Sequence, residues 1–231
     1  GMDEPSLDVV LRSAAELQRV VPDAVLVGGA AAALWAHHRD SFDHDHVIAD
    51  LADRYLEVLE AVEATDGWVT SVRASSPPLT LLGRLGGVEA GLRQLRRTAP
   101  LEVERVRLDD DHAVVVPTLP ETLRVKAYLV VLRNQVRDYL DVVALAERAG
   151  IDVAVAVLAD IDAYYVDRSK QPDSVLTALV QRLSEPNPRD ATVTTQLDSY
   201  RRLEPRWHSW SAVVASCHVL ADGLLHVAEE G

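Results

Sequence analysis

Between residues 7 and 20 the apolar positions Leu7, Val10, Leu11, Ala14 and Leu17 recur at helical spacing and predict a first helix, which Pro22-Asp23 ends. Ala24–Val27 is short and wholly apolar, the pattern of a buried strand. Ala30–His38 is alanine-rich and predicts a helix. Phe42–Ile48 alternates and predicts a second strand, with Asp43 and Asp45 on one side and His44 and His46 on the other. Leu51–Ala64 carries Leu51, Tyr55, Leu59 and Val62 on a helical stripe that Asp66-Gly67 closes, and Trp68–Val72 reads as a strand. Leu79–Leu85 and Val88–Leu95 flank Gly86-Gly87, a two-residue hairpin signal. Leu101–Leu108 and Ala113–Val116 are further strands around the acidic turn Asp109-Asp110-Asp111.

From Thr118 the two-residue period gives way to helical spacing. Thr118 lies three residues before Glu121, a capping-box start. One helix is predicted from there to about Arg148, where Gly150 stops it. Ile151–Val166, Asp173–Leu183 and Trp207–Glu229 read as further helices, separated by Pro172 and by Glu185-Pro186-Asn187-Pro188. The predicted class is α+β: a mixed sheet of roughly five to seven strands with flanking helices, followed by a helical C-terminal part. The predicted boundary gives an α/β core over residues 1–117 and a helical domain over 118–231.

Hydrophobic residues make up 48% of the 231 positions but aromatic ones only 5%, so Leu, Val and Ala must fill the core. The lone Cys217 excludes an internal disulfide and a cysteine-rich zinc site. A net charge of −13 excludes a broad nonspecific nucleic-acid surface. It leaves room for a local basic patch from Arg93, Arg96, Arg97, Arg105 and Arg107. Only two of the 23 basic residues are lysines, Lys126 and Lys170, which makes Lys126 in a helix conspicuous. No uninterrupted apolar run reaches the ~18–20 residues of a membrane span. Met2-Asp3-Glu4-Pro5 is acidic, unlike a signal peptide, so a cytoplasmic protein without membrane contact is expected.

The candidate chemistry starts at Gly28-Gly29. A glycine turn opening a helix leaves backbone N–H groups for phosphate oxygens. Asp43 and Asp45, at i and i+2 of a strand, share a face and suit Mg²⁺, which takes one or two carboxylates together with phosphates and water. Glu89 is the chosen third carboxylate, because Glu89, Gly91 and Arg93 share one face of their strand and Gly91 leaves room for a ligand; Glu102 and Glu104 are runners-up. Arg39 and Ser41, just before the aspartates, are placed to meet phosphate. In the long helix Lys126, Arg133, Arg137 and Asp141 fall on one face. That row could bind triphosphate, or be a solvated face braced by the pair Arg137–Asp141. The histidines His37, His38, His44 and His46 raise a zinc or iron hydrolase as an alternative. On a strand, however, His44 and His46 face away from Asp43 and Asp45, so the two sets cannot easily share one ion.

Leu26-Val27-Gly28-Gly29-Ala30, followed by Arg39-Asp40-Ser41-Phe42-Asp43-His44-Asp45, resembles the first motif of the nucleotidyltransferase superfamily, in its AbiEii/AbiGii toxin-like branch. Leu123-Arg124-Val125-Lys126-Ala127, Arg133 and Arg137-Asp138-Tyr139-Leu140-Asp141 resemble that branch's helical motif. The likeness covers about residues 24 to 145. It implies a nucleotidyltransferase-like mixed sheet and Mg²⁺-dependent transfer of a nucleotide from an NTP to an acceptor. Asp43 and Asp45 would hold metal, Gly28 and Gly29 phosphate, and Lys126 and Asp138 the nucleotide. Glu89 would complete the site and deprotonate the acceptor, while Arg39, Lys126 and Arg133 would neutralise triphosphate. The acceptor would be an RNA such as a tRNA end, a protein or a small molecule, and an antitoxin protein is a possible partner. A catalytically decayed binding module acting through a protein partner is the competing expectation. Two features depart from the pattern. Gly29 stands where serine is common, and His44 and His46 stand where apolar residues are usual, which predicts a wetter strand.

Overall fold

The computed structural model describes residues 4–166 and 174–231, and the chain forms two compact units. The first comprises residues up to 34, 40–96 and 100–118. It opens with α1 (Leu7–Val20), whose Ser6 hydroxyl accepts a hydrogen bond from the Val9 N–H at 3.3 Å and so satisfies one orphan donor. There follow β1 (Val25–Val27), α2 (Gly28–Ala36), β2 (Asp43–Ile48), α3 (Leu51–Glu63), β3 (Trp68–Thr70), β4 (Thr80–Leu85), β5 (Val88–Gln94), β6 (Val103–Arg107) and β7 (Ala113–Pro117). The end of α2 is assigned to the second unit.

The strands do not join one sheet. Five form a mixed sheet in the order β1-β2-β5-β4-β3, and β6 and β7 pair separately. Only β2 and β5 run parallel, with Asp43 opposite Glu89 and Asp45 opposite Gly91. The β4–β5 hairpin turns at Gly86-Gly87, both with positive φ, as the sequence predicts. Register divides the sheet into two unlike faces. Leu26, His44, His46, Ile48, Leu81, Ala90 and Leu92 are all buried on one side, and Ile48, Leu81, Ala90 and Leu92 share a core with Leu17, Leu51, Tyr55, Val58 and Val62. Each such leucine contributes about 1.5–3 kcal/mol by leaving water. The opposite side carries Asp43, Asp45, Arg84, Glu89, Gly91 and Arg93. One face is largely apolar and buried, and the other carries the charged side chains.

The second unit comprises residues 35–39, 97–99 and 119–231. Its helices are α4 (Leu119–Arg133), α5 (Val136–Ala149), α6 (Ile151–Ala159), α7 (Val175–Ser184) and α8 (Trp210–Glu230). The single helix expected to reach Arg148 is two helices, broken at Asn134, which has φ +52°. Asparagine tolerates this left-handed backbone, and its neighbours fix the break. Tyr139 Oη donates to Asn134 Oδ1 at 2.5 Å, Asn134 Nδ2 donates to the Asn187 carbonyl at 2.8 Å, and Asp190 accepts from the Val136 N–H at 2.9 Å. The helix predicted over Ile151–Val166 ends at Ala159, and a short 3-10 turn follows over Ile161–Tyr164. The predicted break at Pro172 and helix start at Asp173 lie outside the described residues. Helix α8, at 21 residues, is long and apolar enough to cross a membrane by length and composition. Within the unit it buries Val213, Cys217, Leu220, Ala221 and Leu224.

Candidate functional site

Asp43 and Asp45 project from the outer face of β2, both half-buried. The Asp45 carboxylate occupies a niche built from missing side chains. A Cβ placed on Gly91, its neighbour on β5, would lie 2.6 Å from Asp45 Oδ1. A Cβ on Gly28 would lie 3.6 Å from Asp45 Oδ2. Gly28 has φ +69° and starts α2, so the strand-to-helix turn runs beside this carboxylate. The first turn of a helix offers N–H groups without intrahelical partners and a positive dipole end. Gly29 follows in that turn.

Ser41 is buried, and its hydroxyl donates to the Asp43 carbonyl at 3.3 Å and to Asp43 Oδ1 at 3.4 Å. It orders the strand start and one carboxylate oxygen. Glu89 stands beside Asp43 in the register, but its carboxylate is drawn to Arg84 Nη2 at 2.9 Å in an exposed ion pair. Among the described residues no three His, Cys, Asp or Glu side chains converge as a ready ligand set. The structure seats the Asp45 carboxylate between Gly28 and Gly91, with Asp43 on the same strand face and Glu89 opposite Asp43 in the register.

The histidines that alternate with the aspartates turn inward, and the wetter strand expected from them is not what forms. His44 and His46 are both fully buried. His44 Nε2 lies 2.9 Å from Ser13 Oγ, and its Nδ1 lies 2.9 Å from His46 Nε2. Gln18 lies 3.5 Å from His46 Nδ1 and binds the Val115 backbone through both amide atoms, at 2.8 and 3.0 Å. Burial pushes the His44 pKa down to about 4 and that of His46 well below the usual imidazole range. Both rings are neutral at pH 7, and they replace an apolar pair with a hydrogen-bonded one.

The other sequence candidates belong to the second unit and form a buried network. Arg39 holds Asp141 through two bonds, Nε to Oδ1 at 2.8 Å and Nη2 to Oδ2 at 2.9 Å. His38 Nε2 lies 2.6 Å from Asp141 Oδ1, and Lys126 Nζ lies 2.8 Å from Asp141 Oδ2 and 3.7 Å from Asp138 Oδ1. Arg133 grips Asp138 at 2.7 and 2.8 Å. Asp138 and Asp141 are fully buried, and Lys126 nearly so. Burial by itself would raise the Asp141 pKa, but Arg39 and Lys126 hold it well below the usual carboxylate range. The solvated Arg137–Asp141 face is thus corrected: Asp141 is the hub of an interior ion network. Two of its partners, Arg39 and His38, lie 102 and 103 residues away in the chain, beyond any local signal. The expected arginine patch loses Arg97, which is buried against Glu121 at 2.8 Å. Arg107 is spent on Asp110 at 2.8 Å, while Arg93 and Arg96 are exposed.

No family model matches the chain. Curated relatives include heme uptake protein MmpL11 of Mycobacterium tuberculosis, 32% identical over 195 residues, which are 80% of this chain and 20% of that protein. The mycolic acid-containing lipids exporter MmpL11 of Mycolicibacterium smegmatis is 36% identical over 96 residues, 42% of this chain and 10% of that protein. The chain spans a fifth or less of the length of these relatives. Among solved structures, MenT4, a nucleotidyltransferase toxin of M. tuberculosis, superposes with a TM-score of 0.62 at 18% identity, covering 95% of this chain and 82% of that one. A Helicobacter pylori protein described as a candidate nucleotidyltransferase gives 0.54 at 16% identity, covering 97% and 96%. The chain has the nucleotidyltransferase fold; identities this low show fold and not chemistry.

Proposed function

We propose that this nucleotidyltransferase-fold chain transfers a nucleotide from an NTP to an acceptor hydroxyl, with Asp43 and Asp45 holding a divalent cation, Mg²⁺ in the cell. The reading rests on the niche in which the Asp45 carboxylate lies between the Gly28 turn and the bare Gly91, with Asp43 on the same strand face. Two carboxylates fit Mg²⁺, which completes its octahedron with phosphate oxygens and water. When bound, the ion neutralises phosphate charge at the reacting centre. The Gly28-Gly29 turn supplies backbone N–H groups to the phosphates. Ser41 steadies Asp43. Glu89, released from Arg84, accepts the proton of the acceptor hydroxyl as that oxygen bonds the α-phosphorus and pyrophosphate departs.

The acceptor is an RNA, a protein or a small molecule. The likeness to a toxin supports a toxin-type role with an antitoxin partner. The test is to incubate the protein with each α-labelled NTP, Mg²⁺ and total RNA or lysate. Label should move to one acceptor class and be lost in Asp43→Asn and Asp45→Asn. No transfer, and no binding of Mg²⁺-NTP by calorimetry, would sink the reading.

A second reading has one observation in its favour. The relatives of which the chain spans a fifth or less carry names of heme uptake and lipid export, not nucleotidyl transfer. On that reading the fold serves as a docking module for a protein partner. Calorimetry separates the two: a docking module binds no Mg²⁺-NTP.

A further inference from the structure

Gly91 occupies the middle of β5, which pairs with β2 on one side and β4 on the other. A glycine there carries a cost, since it forfeits side-chain packing and backbone entropy relative to alanine. Its backbone does not require it: Gly91 is absent from the positive-φ residues, so any residue could adopt its conformation. No turn or bulge requires it either, for the ladder runs through it in register on both sides. What sets the residue apart is what lies above it. A Cβ would meet Asp45 Oδ1 at 2.6 Å and Leu82 Cδ2 at 2.8 Å, distances real Cβ atoms essentially never show. Both are ends of rotatable side chains. The strand could therefore accept alanine, but only if the carboxylate and the leucine methyl swing away.

The geometry points to Gly91 as a positioning residue: its bare Cα is the seat on which the Asp45 carboxylate rests, aimed along the Gly28 turn. The inference rests on the reading of Asp45 as a cation ligand, and it adds a residue that contacts no substrate. It makes a distinctive demand. Gly91→Ala should damage the site without damaging the fold, the reverse of most substitutions in a central strand.

The test compares wild type, Gly91→Ala and Leu82→Ala/Gly91→Ala, all as full chains, by thermal midpoint, Mn²⁺ binding followed by electron paramagnetic resonance, and the ¹³C resonance of the Asp45 carboxyl. Gly91→Ala should melt within a few degrees of wild type, shift the Asp45 resonance and bind Mn²⁺ at least about tenfold more weakly, as when a group supporting a ligand is lost. In a transfer assay kcat should fall more than KM rises. The double variant frees the space at Leu82 and should leave Mn²⁺ binding weak, because the clash with Asp45 persists. A folded Gly91→Ala with wild-type Mn²⁺ affinity and an unmoved Asp45 resonance would overturn the inference. So would failure of both variants to fold, which would make Gly91 a requirement of the strand itself. If wild type binds no Mn²⁺, the proposed function fails, and the Asp45 resonance alone decides whether Gly91 seats that carboxylate.

Discussion

Replacing Asp141 by asparagine tests whether the ion network in the second unit is structural. Asp141 accepts two hydrogen bonds from Arg39, contacts Lys126 at 2.8 Å and lies 2.6 Å from His38 Nε2, all in an interior sealed from water. Asparagine keeps the shape and one acceptor oxygen. Its NH₂ must then point at Arg39 Nη2 and Lys126 Nζ, donor against donor, or at Arg39 Nε and His38. Either way at least one buried cation loses its counter-charge. Removing one partner of a buried pair costs about 3–5 kcal/mol, because the charge left behind stays desolvated. For a chain of this size each kcal/mol moves the melting point by about 2–4 °C, which puts the shift on the order of 6–20 °C. Urea titration followed by tryptophan fluorescence is a suitable assay, since Trp35, Trp207 and Trp210 belong to the second unit and only Trp68 to the first. A loss below about 1 kcal/mol would refute the reasoning and mean that water or rearranged side chains satisfy Arg39 and Lys126 without Asp141.

Three further outcomes are expected. The His44 pKa, pushed by burial from 6.5 down to about 4, makes the unfolded chain bind more protons between those values. Stability is then full above pH 6.5 and falls by about 1.4 kcal/mol per pH unit below it from His44 alone, with His46 acting in the same direction. A flat urea midpoint between pH 7 and 5, a window above the ordinary carboxylate range, would contradict this. Glu89→Gln should change stability by less than about 1 kcal/mol, since its pair with Arg84 is exposed. Its transfer rate should drop about 10²–10⁴-fold if it takes the acceptor proton, and an unchanged rate would remove Glu89 from the site. Asp43→Asn should abolish label transfer while circular dichroism and melting stay near wild type; an unfolded variant would show that Asp43 serves the strand.

Local periodicity was enough to predict the β4–β5 hairpin, the helices α1 and α3, and the opposite orientations of Asp43/Asp45 and His44/His46. Those features depend on residues within a few positions of one another, and a period of 2 or 3.6 records them directly. The break at Asn134 escaped the sequence. The apolar stripe continues across it, and what stabilises the kink is a carbonyl and a carboxylate more than fifty residues downstream. The histidines misled for a related reason. A polar residue on a strand reads as wet until its partners are known, and Ser13 and Gln18 sit one helix away.

The order of chemistry along the chain, a glycine turn and then two acids two residues apart, is a property of the sequence alone, because strand alternation fixes which side chains are neighbours. Only the tertiary structure decided that Asp45 rests on Gly91 and that Glu89 leans toward Arg84. It also turned Asp141 from a surface acid into a buried hub. Each of these depends on pairings between segments distant in sequence, and so on the burial of apolar surface that holds those segments together.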